Sequence, residues 1–317
     1  MKIGILEPKY FSIKVIENLK KFGKVSLYHQ KFDLIKFISD KEIIYTRLKF
    51  FFNEELIKKC LKLKYLVSPT TGLNHINQIS SHYYGVKIIS LKGLKELEKI
   101  KATPEHTFGL ILSLLRNYKH YYNLKDFNLE RDRLSVPSFE ISKKKIGIIG
   151  FGRVGKELSK YFNAFGSEIC FYELNTLSTE QKLSYNFCRE SKSIEELIKN
   201  LEIVIVSASY EGRIILRSSH LNMLKGKYLI NTSRGENIDE NHLIELINND
   251  HFKGVALDNI QNEQSKTNNL QLITNLHKSK PNFIFTPHIS GATITSLNHT
   301  EMIVTQELIT QIRKNGP

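Results

Sequence analysis

The chain has 317 residues, enough for two domains with separate cores, and its 41% hydrophobic and 25% charged content is that of an ordinary globular protein. No apolar run approaches the roughly 18 residues of a membrane span. The opening MKIGILEPKYFSIK lacks the apolar core of a secretory signal, and Cys60, Cys170 and Cys188 show neither CxxC nor metal-ligand spacing, so a cytoplasmic protein without metal or membrane association is expected.

The first hundred residues alternate short apolar strands (Ile3–Leu6, Val25–Tyr28, Ile43–Tyr45, Tyr65–Val67, Val86–Ile89) with helical stretches. A long helix is predicted over Pro104–Tyr121, with Thr103 as its N-cap and Glu105 complementing its dipole. From Lys145 onward six strands are expected, at 146–149, 168–172, 203–206, 228–231, 254–257 and 283–286. Amphipathic helices at about 153–165, 193–200, 218–224 and 239–249 separate them, the last capped by Asp239. A final helix over 292–314 crosses back to the first domain. Strands alternating with helical crossovers make an α/β chain of two doubly wound parallel-sheet domains. The boundaries expected are 1–100 plus 290–317 for a discontinuous first domain and 101–289 for the second. The net charge of +14 comes from lysines spread over the whole chain, with no basic helix interleaved with aromatics. No nucleic-acid partner is therefore expected, although a positive field would steer anionic ligands.

Residues 145–155 carry the most specific local signal. The strand Ile146–Ile149 runs into Gly150-x-Gly152-x-x-Gly155 and then a helix that opens at Arg153 and Val154. Gly150 permits a tight turn, Gly152 lets the backbone approach a pyrophosphate, and Gly155 lets helix and strand pack closely. The helix N-terminus then faces the phosphates. Glu173 closes the next strand where an acid meets the adenosine ribose, and no basic residue flanks it, so NAD is expected rather than NADP.

Beyond the last three strands sit Arg234, Glu263 and His288, all on the carboxyl rim of the second sheet. Hydride transfer to a 2-oxo acid needs these types. A guanidinium clamps the carboxylate and polarises the carbonyl. An imidazolium delivers the proton, and a carboxylate orients the imidazole.

Six ordered blocks, VSPTTGLNHI (67–76), ATPEHTFGLILSLLR (102–116), GIIGFGRVGKEL (147–158), MLKGKYLINTSRGENIDENHLIELI (223–247), GVALDN (254–259) and FTPHISGAT (285–293), resemble the D-isomer-specific 2-hydroxyacid dehydrogenases. The resemblance implies a Rossmann NAD-binding domain beside a smaller, flavodoxin-like substrate domain. It assigns substrate binding to Arg234, the acid–base role to His288 and its support to Glu263. It implies that the backbone at Thr71, Gly72 and Leu73 holds the substrate carboxylate, and that Thr103 and Asp258 lie near the nicotinamide carboxamide. Ser207, Ala208, Thr232, Ser233 and Gly291 complete the expected cofactor set. A homodimer, a hinge near 98–103 and 290–293, and a small 2-oxo or 2-hydroxy acid as the only other partner are implied as well. The pair VSPTTGLNHI and IISLKG resembles a branch linked to bacterial cell-surface sugar pathways, which points to a sugar-derived 2-oxo acid.

The chain also departs from the family. The segment VSASYEGRIIL (206–216) lacks the usual proline, and Asn259 stands where an apolar residue is common. Two other readings share the fold. One is an NAD-sensing, corepressor-like protein without turnover. The other is a formate dehydrogenase, which pairs its histidine with glutamine; Gln261 and Gln264 flank Glu263 closely enough to raise that pairing.

Overall fold

The alternation of apolar strands and amphipathic helices produces two sheets, every strand pair in both being parallel. The structure is a computed structural model and describes residues 1–126, 128–129, 135–263, 265 and 267–314. The chain divides into two units, Met1–Ile100 with Ala292–Pro317, and Lys101–Gly291.

In the first unit, β1 (Lys2–Ile5), β2 (Lys24–Leu27), β3 (Ile43–Tyr45), β4 (Tyr65–Ser68) and β5 (Lys87–Ser90) lie in the order β2-β1-β3-β4-β5. This is the flavodoxin-like order. The central β3 and β4 are buried at every position, as a parallel sheet covered on both faces requires, while the edge strand β2 has no fully buried residue. The helix Ile294–Lys314 packs on β4 and β5. It buries Glu301 and Thr305 against the sheet, where the Tyr45 hydroxyl meets Thr305 Oγ1 at 2.9 Å.

In the second unit, β6 (Lys145–Ile149), β7 (Glu168–Tyr172), β8 (Cys188–Glu190), β9 (Ile203–Val206), β10 (Tyr228–Asn231), β11 (Gly254–Leu257) and β12 (Phe283–Phe285) follow the order β12-β11-β10-β9-β6-β7-β8. The order reverses between β6 and β9, the place where a doubly wound sheet opens a crevice for ligands. Alternate side chains feed two apolar layers. Ile146, Ile148, Ile203 and Ile205 pack with Leu110 and Phe162 on one face, whereas Val204 and Val206 pack with Leu197 and Leu221 on the other.

Several features differ from the sequence expectation. A seventh strand, β8, forms at the sheet edge; its three residues CRE carry no apolar alternation because an edge strand needs little burial. The helix Leu270–Ser279, absent from the expected elements, buries Ile273 and Leu276. The predicted 104–121 helix starts earlier and breaks, running Ala102–Leu115 and then Tyr118–Tyr122, because Asn117 adopts a left-handed φ of 51°. Thr103 therefore lies inside the first turn rather than capping it, and its carbonyl accepts the Thr107 hydroxyl at 2.7 Å.

Candidate active site

The glycine-rich turn is built as its three glycines demand. Gly150 sits at φ +90°, and a Cβ there would lie 2.5 Å from the Ala208 backbone, so both conformation and space exclude a side chain. A Cβ on Gly155 would meet the Gly150 carbonyl at 2.4 Å, which is the close helix-to-strand approach. At Gly152 a Cβ would meet nothing within 4 Å: this exposed glycine leaves open surface at the start of the Arg153–Ala164 helix. That open cradle at a helix N-terminus fits a dinucleotide pyrophosphate. Arg153 and Val154 are half-buried in the first turn.

The strands on either side of the switch point are tied together here. Ser207 donates its N–H to the Ile149 carbonyl at 2.9 Å and its hydroxyl to the Gly150 carbonyl at 2.6 Å. Glu173, at the end of β7, accepts the Phe151 N–H at 2.7 Å and the Asn175 N–H at 3.2 Å. The expected ribose acid thus also pins the glycine turn, and it does so without a basic neighbour in sequence.

Arg234 follows β10 in a loop held by two asparagines. Asn231 Oδ1 accepts the Ser233 N–H and hydroxyl at 3.0 and 2.7 Å, and Asn231 Nδ2 donates to the Arg234 carbonyl at 2.8 Å. Asn237 Nδ2 bridges the Ala208 carbonyl at 2.9 Å and Ser233 Oγ at 3.0 Å, joining this loop to the one after β9. Burial lowers the basicity of the Arg234 guanidinium, and the carboxylates of Glu263 and Glu236 oppose that shift. A guanidinium nonetheless stays charged. One of its N–H groups donates to the Ser233 carbonyl at 2.7 Å, which leaves most of the planar fork for a ligand.

Gly235 brings the Arg234 and Glu263 loops together. A Cβ there would fall 2.0 Å from the Ile260 carbonyl carbon, so the two backbones are in direct contact. Glu240, buried at the head of the Glu240–Asn248 helix, accepts the Gln261 N–H at 2.6 Å and the Asn269 amide at 2.8 Å. Its carboxyl is raised above the usual range, by burial first and then by Glu236 and Glu263, against those hydrogen bonds.

Glu263 reaches the histidine. Its Oε2 lies 2.7 Å from His288 Nδ1, with both side chains about one-quarter exposed. Gln261 does not compete for that position: its side chain donates to the Ile238 carbonyl at 2.6 Å. Gln264 lies outside the described residues. His288 adopts a left-handed φ of 54°, which a non-glycine residue holds only when its surroundings enforce it.

Asp258 holds the loop around that backbone. Asp258 has no exposed surface. Its Oδ1 accepts the Thr286 hydroxyl at 2.5 Å and the Ile289 N–H at 2.9 Å, and its Oδ2 accepts the Ser290 N–H at 2.9 Å. Its carbonyl accepts the His288 N–H at 2.6 Å. Burial alone would raise its pKa, but hydrogen bonds from His106, Thr286, Ser290 and Ile289 hold it below the usual value. Thr232, expected to line the cofactor groove, is likewise buried, its hydroxyl 2.7 Å from that of Thr107. Thr103, Ser207, Ala208 and Ser233 are half-buried and Gly291 is exposed.

In the first unit, Thr71, Gly72 and Leu73 form the turn after β4. The Thr70 hydroxyl donates to the Gly72 carbonyl at 2.9 Å and lies 2.9 Å from Ser68 Oγ, which in turn meets the buried His75 at 3.0 Å. Sequence reasoning missed His106, Asn231, Gly235, Asn237 and Thr286. The 103/106/107 spacing on one helix face was a usable signal for the first of these. The others show only once neighbouring loops are in place.

Residues 108–290, more than half of the chain, match the family model for the D-isomer specific 2-hydroxyacid dehydrogenase, NAD binding domain. An aromatic 2-oxoacid reductase of Clostridium sporogenes is 29% identical over 266 residues, covering 80% of this chain and 77% of its own. D-3-phosphoglycerate dehydrogenase of Bacillus subtilis is 28% identical over 268 residues, 83% of this chain but 48% of that protein. Among solved structures, D-lactate dehydrogenase of Aquifex aeolicus, complexed with NAD and lactic acid, superposes with a TM-score of 0.81 over 99% of this chain and 96% of that one. At 21% identity that likeness speaks to the fold.

Proposed function

Because the chain belongs to the D-isomer specific 2-hydroxyacid dehydrogenase family, a family of NAD-dependent oxidoreductases, we propose that Arg234, Glu263 and His288 carry its interconversion of a 2-hydroxy acid and its 2-oxo acid. The observation that carries this reading is the 2.7 Å pairing of His288 Nδ1 with Glu263, beside a largely buried guanidinium. Glu263 commits Nδ1, so Nε2 is the nitrogen left to exchange a proton with substrate. Arg234 offers its fork to the carboxylate and the carbonyl oxygen, drawing electron density toward that oxygen. In reduction, the imidazolium gives its Nε2 proton to the oxygen as negative charge develops there, and Glu263 holds the ring in place throughout. In oxidation, neutral His288 takes the hydroxyl proton. When bound, the cofactor would supply hydride to the substrate carbon as NADH in reduction and accept it as NAD+ in oxidation. The glycine turn at Gly150, Gly152 and Gly155, the first helical turn at Arg153 and Val154, and Glu173 hold the cofactor in this reading. Thr103, Ser207, Ala208, Thr232, Ser233, Asp258 and Gly291 are assigned to it as well, and the Thr71–Gly72–Leu73 turn is assigned to the substrate carboxylate. Among the described residues no helix is long and apolar enough to cross a membrane. A cytoplasmic homodimer is the assembly proposed.

The test is NADH oxidation, followed optically, over a panel of 2-oxo acids that includes pyruvate, glyoxylate, aromatic and sugar-derived members. His288→Ala is expected to cut turnover by about 100-fold or more while NADH still binds. A variant that keeps wild-type turnover would remove His288 from the mechanism. Loss of NADH binding together with turnover would make it a structural residue. If wild type binds NADH without turning over any member, the cofactor-sensing reading gains. Better turnover of pyruvate or glyoxylate than of the sugar-derived acids would end the sugar expectation.

A further inference from the structure

His106 stands on the helix Ala102–Leu115, far in sequence from the acid–base loop, yet its ring touches that loop's anchor. Its Nε2 lies 3.1 Å from Thr286 Oγ1 and 3.4 Å from Asp258 Oδ1. The proton inventory leaves one arrangement. Thr286 gives its single hydroxyl proton to Asp258 Oδ1, so its oxygen only accepts at His106. An ionised Asp258 carboxylate also only accepts. Nε2 must therefore carry a proton and share it between the two oxygens, whatever the charge on the ring.

That proton is one of four donated to the Asp258 carboxylate, the others coming from Thr286, Ile289 and Ser290. The last three belong to the loop that carries His288, and His106 is the donor that comes from a different element. A buried carboxylate is held in its charged form by the donors around it. Withdrawing one weakens the grip on the rest of the loop. The residue at stake there is His288, whose left-handed backbone depends on that grip.

We infer that His106 is a positioning residue for the reaction: through Thr286 and Asp258 it fixes the 286–290 loop so that His288 Nδ1 stays on Glu263 and Nε2 stays aimed at the substrate oxygen. This rests on the proposed acid–base role of His288. A shift of the proton donor by about 1 Å costs on the order of 100-fold in rate, so a side chain that touches neither substrate nor cofactor can still set turnover.

His106→Ala and His106→Gln, made in the full chain, test it by two routes. Glutamine carries an N–H at a reach close to Nε2 and alanine carries none. Without cofactor, proton and nitrogen NMR of wild type should show His106 protonated at Nε2 and a downfield His288 Nδ1–H resonance from the bond to Glu263. His106→Ala should lose or broaden that resonance, and His106→Gln should restore it. With NADH and the best 2-oxo acid of the panel, kcat should fall roughly 10- to 100-fold in His106→Ala. KM for both substrates should stay within about twofold, and the glutamine variant should recover most of the rate. An intact His288 resonance with wild-type kcat in His106→Ala overturns the inference, as does equal loss in both variants. If the alanine variant does not fold, Thr286→Val reads the link from its other end: the same losses support it and wild-type behaviour overturns it. Absence of turnover in wild type would count against the acid–base reading alone, since the cofactor-free spectra still decide the positioning.

Discussion

Among the described residues each unit buries one carboxylate completely, Asp258 in the second and Glu301 in the first, and the two are driven in opposite directions. Burial raises the Glu301 carboxyl, against hydrogen bonds from the Ser12 N–H and from Arg47, with which it forms an ion pair. Asp258 meets the same desolvation but collects donors from His106, Thr286, Ser290 and Ile289, and its carboxyl is held low. The count and aim of hydrogen-bond donors, rather than burial, decides which way a buried acid goes. The difference matches what each carboxylate holds. Glu301 joins the Ile294–Lys314 helix to the Ser12 and Arg47 loops, a packing role. Asp258 holds a strained backbone beneath His288, where a neutral acid would release at least one N–H.

Replacing Asp258 should expose this contrast most strongly. Asp258→Asn keeps the shape but turns an N–H2 toward one of the loop donors, leaving it buried and unpaired. Urea unfolding should show a loss of about 2–4 kcal/mol, with turnover falling alongside. An unchanged midpoint would mean that the donors do not hold the loop. Glu301→Gln should cost less, about 1–2 kcal/mol: the amide oxygen can still accept the Ser12 N–H, and Arg47, which loses its carboxylate, keeps the Lys9 carbonyl.

The pH dependence of the same pair sharpens the comparison. Glu301 has a raised carboxyl, so its contribution is fully present at acid pH and is lost as pH rises through its folded value. Asp258 has a lowered carboxyl, so its contribution is present above the unfolded value and is lost as pH falls through the folded one. As pH falls through the raised folded value of Glu301, wild type should gain in Tm relative to Glu301→Gln, while its advantage over Asp258→Asn should hold until pH falls below the ordinary aspartate range and then shrink. Parallel trends would contradict the assignment. A last effect, of opposite sign, concerns Asn259, next to Asp258. It is buried, and neither its Oδ1 nor its Nδ2 has a hydrogen-bond partner among the described residues. Asn259→Val should therefore stabilise the protein by about 1–2 kcal/mol, read as a higher urea midpoint.

Much of this was legible in one dimension. All five strands of the first unit fall within one residue of the positions expected from apolar runs, since a strand buried on both faces writes itself as a run of Ile, Val, Leu and Tyr. The glycine turn was readable for a similar reason: its spacing encodes a backbone path. The edge strand Cys188–Glu190 was not, because it buries little. The Leu270–Ser279 helix was missed because its polar flanks read as loop. Arg234, Glu263 and His288 were placed together because each follows a strand of one parallel sheet, and parallel strands deliver their ends to one rim. The hydrogen bonds of Asp258 were not legible. Its position after β11 is the same kind of rim position, and nothing local says that its carboxylate turns inward.

Sequence by itself thus determined the elements, their parallel packing, the cofactor turn and the three chemical groups on the rim, because periodicity and glycine spacing act over a few residues. Only the tertiary structure decided which side chain meets which. The encounter of Gly150 with Ala208, the contact of Gly235 with Ile260, the pairing of Glu263 with His288, and the reach of His106 to Asp258 each join segments at least 25 residues apart. Such partnerships depend on which strands lie side by side and how their loops turn, and no local pattern carries that information.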